Sequence, residues 1–117
     1  PRILVNPSFH MARSLTFKGF GQREFFNKRL DGAKTFMVDK QMVEEFRQLE
    51  KNSFQGITDE EEALVYGLFG TQDKTVNCQS DYKNNYGDAH FQLFEGEHRL
   101  NGHILDKVVV PLIETII

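Results

Sequence analysis

The chain is 117 residues long, with 39% apolar and 26% charged side chains, eleven Phe and no Trp. A chain of that size and composition buries about two thirds of its unfolded surface, which excludes whole-chain disorder and removes any need for a metal or disulfide staple. The net charge of −3 conceals a division: the first forty residues carry eight Lys/Arg against three Asp/Glu, and the remaining seventy-seven carry six against fourteen.

Cys78 is the only cysteine, so no intrachain disulfide can form, and a reducing, cytoplasmic setting is the expectation. No apolar run reaches the roughly 18 residues of a membrane-spanning helix, and the first residues lack the apolar centre of a signal peptide. A soluble protein without a membrane partner is expected.

In chain order, Arg2 to Asn6 is a short β-branched run stopped by Pro7 and Ser8, which predicts a buried strand and a turn. The alternation of Leu15 and Phe17 predicts a strand or extended loop over 14–20, and Gln22 to Leu30 reads as a helix closed by Asp31-Gly32. Ala33 to Val38 reads as a second strand, with Asp39 placed to cap a helix beginning at Lys40. From Lys40 to Lys51, Met42, Val43, Phe46 and Leu49 recur at helical spacing among charged residues, an amphipathic helix. Thr58-Asp59-Glu60-Glu61 is a capping box predicted to open a helix that runs through Phe69 to Gly70.

Residues 71–88 are polar and predict mostly loop, with a short strand at 75–78; Ala89 to Glu95 alternates as a strand. Apolar pairs recurring every four residues from Ile104 to Ile117 predict an apolar C-terminal helix that kinks or restarts at Pro111, with a strand over 108–110 as the alternative. Together these segments predict a single α+β domain over residues 1–117, with about four strands and three or four helices.

Three groups of residues carry chemistry. The first is basic and aromatic: Lys18, Phe20, Arg23, Phe25, Lys28 and Arg29, rings and cations suited to stacking on bases and meeting phosphate. Its string Lys18-Gly19-Phe20-Gly21-Gln22-Arg23-Glu24-Phe25 resembles the RNP1 element of RNA-recognition motifs at five of eight positions. Gln22 and Arg23 stand where that family places an aromatic and a β-branched residue, so no family is assigned. The second group, Cys78, Asp81, Asp88, His90, His98 and His103, contains acid/base groups, with Asp81, Asp88, His90 and His98 the alternative catalytic set. Its spacings match no zinc or calcium motif, and no metal or other cofactor is expected.

The third group is acidic: Asp59, Glu60, Glu61 and Glu62, extended by Glu44 and Glu45. These residues suit a basic protein partner, as small inhibitors and immunity proteins do for nucleases. Pro1 before a short strand is similar to the tautomerase superfamily, whose N-terminal proline is a general base; Pro7, Gly19 and Gly21 interrupt the region where that family places a long helix. The leading expectation is a non-catalytic protein-binding module that uses the acidic residues. Nucleic-acid binding by the basic segment, and acid/base catalysis, are the alternatives.

Overall fold

The computed structural model describes residues 1–17, 19–25 and 27–117. The chain is α+β, with five strands in two sheets, one strand more than expected, and five helices among the described residues. Its contacts form two compact units, residues 1–8 with 56–117, and residues 9–55. No helix among the described residues is long and apolar enough to cross a membrane.

The first unit is built on a parallel sheet of β1 (Arg2–Val5), β4 (Val65–Gly70) and β5 (Phe91–Phe94), in the order β1-β4-β5. Leu4 pairs with Gly67 on one side of the central strand, and Phe91 pairs with Gly67 on the other. The capping box forms as predicted, with Thr58 accepting from Glu61 N–H, but its helix α3 is only Asp59–Glu62. The residues expected to continue it enter the sheet as β4. A central parallel strand is apolar on both faces, so its unbroken run carries no period that separates strand from helix.

One face of the sheet packs Leu68 and Phe94 against Ile104 and Val109 of the C-terminal helix. The other face meets α4 (Gln79–Tyr86), in a stretch expected to be loop. That helix is polar apart from Tyr82 and Tyr86, too few apolar positions to register as an amphipathic period. Tyr82 is fully buried, lies edge-on to Phe69, and donates its hydroxyl to Val65 O at 3.1 Å. Its ring occupies the space above Gly67, where a Cβ would sit 2.6 Å from the ring.

The C-terminal helix α5 is helical throughout, which excludes the strand at 108–110. It is α-helical over Gly102–Ile104, π-helical over Leu105–Val109 and α-helical again over Val110–Ile116. Val110 N–H reaches back to Leu105 O, and Pro111 then falls in the first turn of the last stretch, where its missing N–H is no loss.

In the second unit, α1 (Met11–Thr16) takes the first residues of the segment expected as a strand or extended loop at 14–20, of which Lys18 lies outside the described residues. Ser14 N–H bonds to His10 O and Ala12 is buried, so one turn of tertiary packing decides the conformation. The helix expected at 22–30 is instead strand β2 (Gly21–Glu24) and the loop after it; Arg23 pairs with Phe36 and Glu24 with Thr35 of β3 (Thr35–Val38). Here cross-strand pairing overrides helix propensity. Asp39 accepts from Met42 N–H and opens α2 (Lys40–Asn52) as predicted. Ala12, Val38 and Val43 form the buried centre, with Leu15, Phe36, Met42 and Phe46 packed around it.

Candidate functional site

The β2–β3 hairpin carries Arg23, Phe25, Lys28 and Arg29 of the basic aromatic group. Phe25 N–H bonds to Lys34 O, which extends the pairing one residue beyond β2 and β3. The Phe25 ring lies 4.9 Å from that of Phe36, which is packed on the core of its unit. The Arg29 guanidinium lies 4.7 Å from the centre of the Phe25 ring. A cation at the surface is thus anchored through two rings to the interior.

The loop itself is shaped by its turn residues. Gly32, at φ +79°, adopts a conformation that favours glycine and donates to Arg29 O at 3.2 Å. Asp31 accepts from Ala33 N–H at 3.0 Å and from the Arg29 fork at 2.6 to 3.2 Å. The guanidinium and then the Ala33 N–H hold the Asp31 carboxyl below its ordinary range, and the Asp31 carboxylate in turn raises the pKa of Arg29.

Two open concavities flank this loop. One, of about 360 Å³, is lined by Phe25, Lys28, Arg29 and Lys34 among others. The other, of about 730 Å³, is lined by Leu15, Arg23, Phe25 and Phe36. Arg23 is half-buried and donates to Gly19 O. Phe20 is 60% exposed and Phe17 is 88% exposed, while Lys18 lies outside the described residues. Lys34, not singled out from the sequence, joins Lys28 and Arg29 because the strands pair in register; its signal was the cation at the start of a predicted strand.

The acidic residues are divided between the units. Asp59 to Glu62 lie on α3 of the first unit, where Glu61 closes the capping box by accepting from Thr58 N–H. Glu44 and Glu45 lie on α2 of the second unit, where Glu44 pairs with Arg47 at 2.6 Å and Glu45 accepts from Gln41.

Cys78 Sγ and an Asp81 carboxylate oxygen lie within 4.8 Å of each other, while His90 and His98 take separate partners. His90 precedes β5 and lies against the Tyr66 ring, whereas His98 follows β5. His98 Nδ1 lies 2.9 Å from Asp73, an aspartate absent from the sequence-based set. The Asp73 side chain is nearly buried, at 4% exposure. Burial opposes its charge, but N–H groups of Val76 and Thr75 and the His98 ring overcome that and hold its carboxyl below the ordinary range. Asn6, left-handed at φ +46°, stitches this edge by donating to Glu97 O and His98 O and accepting from Gly70 N–H. Pro1 is exposed at the start of β1, and Asp88 is exposed before β5.

No protein-family model matches the chain, and neither a curated protein nor a solved structure matches it.

Proposed function

We propose that this chain is a binding module whose contact surface is the basic hairpin, and that its ligand is single-stranded nucleic acid. The observation that carries the reading is the concavity lined together by Phe25, Lys28, Arg29 and Lys34, with Glu24 also on its wall. Cations on one concavity meet phosphates of one strand, and a ring beside them offers a face on which an unpaired base stacks. The exposed rings of Phe17 and Phe20 support a single strand over a duplex, whose bases are already stacked. The test is fluorescence anisotropy with labelled oligo-dT and oligo-U in low salt, against a duplex of the same length. Binding of single strands that weakens in a Lys28→Ala/Lys34→Ala variant supports the reading. Absence of binding to either strand at low salt removes it.

A second reading, a non-catalytic protein-binding module of the inhibitor or immunity type, is supported by the exposed carboxylates Asp59, Glu60 and Glu61, which form no ion pair among the described residues. They would meet a basic protein. The reading is weaker because a first-turn carboxylate also serves the helix dipole, and Glu61 is engaged in the cap. A labelled basic peptide in the same assay separates the two: capture lost on Glu60→Lys supports this reading, and unchanged capture removes it.

A further inference from the structure

Resting on the nucleic-acid reading, we propose that the Arg29 guanidinium is the hairpin's phosphate seat and that Asp31 is its resident competitor, a carboxylate that a bound phosphodiester displaces.

The geometry of the pair is that of anion recognition. Arg29 Nε donates to Asp31 Oδ1 at 2.9 Å and Nη2 donates to Oδ2 at 2.6 Å, two parallel bonds from one edge of the guanidinium. The same edge recognises phosphate, because a phosphodiester presents two oxygens at a comparable spacing. The Phe25 ring, 4.7 Å from the guanidinium carbon, and the two bonds to Asp31 place the fork before any ligand arrives. Asp31 is oriented too, since Ala33 N–H also donates to its Oδ1 and the turn closes through Gly32.

The occupant is easily displaced. The two side chains are 47% and 53% exposed, and an ion pair so open to water holds its partners by at most about a factor of five. A phosphodiester brings no more charge than the carboxylate it replaces. It brings a chain, however, whose neighbouring phosphates meet Lys28 and Lys34 on the same concavity, contacts that Asp31 cannot make. The free hairpin therefore keeps its fork occupied, and a polymer of phosphates outcompetes the internal anion through added contacts.

Asp31→Asn tests this. The amide oxygen still accepts from Ala33 N–H and from Arg29 Nε, so the turn is kept, while the NH2 group in place of Oδ2 can no longer accept from Nη2 and the competing charge is gone, which opens the fork. Affinity for oligo-dT is expected to rise about three- to fivefold. Glu24→Gln, which removes one charge from the same hairpin without freeing Arg29, is expected to raise it less than twofold. In an Arg29→Lys background, which lacks the fork, the Asp31→Asn gain is expected to fall to the Glu24→Gln level. Equal gains from Asp31→Asn and Glu24→Gln, or a gain undiminished by Arg29→Lys, would overturn the seat while leaving nucleic-acid binding intact. If neither wild type nor Asp31→Asn binds the oligonucleotide in low salt, the nucleic-acid reading and the seat fall together.

Discussion

Salt is the perturbation that measures phosphate contact directly, because every cation that meets a phosphate releases condensed counterions. Among the described residues, four cations line the two concavities: Arg23, Lys28, Arg29 and Lys34. For a single strand each contact contributes about −0.7 to the slope of log affinity against log salt, so all four give about −2.8. Affinity then falls about fiftyfold over a fourfold rise in salt. Arg23 is held by Gly19 O and Arg29 by Asp31, so a lower bound counts Lys28 and Lys34 alone. That bound is a slope of about −1.4, or a sevenfold fall. Anisotropy titrations with oligo-dT across a salt series read the slope, and Lys34→Ala is expected to make it shallower by about 0.7. A wild-type slope shallower than about −0.7, or one that Lys34→Ala leaves unchanged, would refute phosphate contact by this hairpin.

The fold makes two further predictions. Gly67→Ala is expected to cost about 1–3 kcal/mol in urea unfolding, because the new Cβ meets the fully buried Tyr82 ring. A Tyr82→Leu background should relieve part of that cost, the Phe69 ring at 2.9 Å from the new Cβ remaining, and a midpoint unmoved by Gly67→Ala would contradict the packing. Asp73 titrates below its ordinary value when folded, so the unfolded chain binds its proton first as pH falls. The stability it contributes is complete above about pH 4 and lost in the acid range below. Asp73→Asn should flatten the acid limb of stability against pH, and an unchanged limb would refute that role.

Local signals were legible wherever one residue decides the outcome. Asp39 and Thr58 cap as their carboxylate and hydroxyl chemistry demands, and the spacing of Met42, Val43 and Phe46 holds in α2. What was not legible depends on partners distant in sequence. β4 became a strand because β1 and β5 cover both of its edges, and β1 arrives from some sixty residues away. α4 formed around Tyr82, whose anchor points are the carbonyls of Val65 and His90. For the site, the rings and cations were visible as residue types, but the hairpin that joins Lys34 to Phe25 was hidden by the helix-like composition of 22–30. The His98–Asp73 contact spans twenty-five positions and has no local signature.

The division of charge also acquires a structural meaning. Residues 9–55 carry nine Lys/Arg against six Asp/Glu, while residues 1–8 and 56–117 carry five against eleven. The basic surplus therefore belongs to the stretch between β1 and α3, and within it to residues 13–34, with six cations against two carboxylates. A net charge of −3 would suggest repulsion from nucleic acid only if all charges acted together. At about 0.15 M salt the screening length is about 8 Å, so a ligand at the hairpin tip responds to the charges around it. Charges beyond that length are screened, so the log–log salt plot of a hairpin-bound oligonucleotide is expected to run straight around physiological salt, with a slope set by the cations the hairpin itself presents. A plot that curves in that range would mean that charges outside the hairpin act on the ligand.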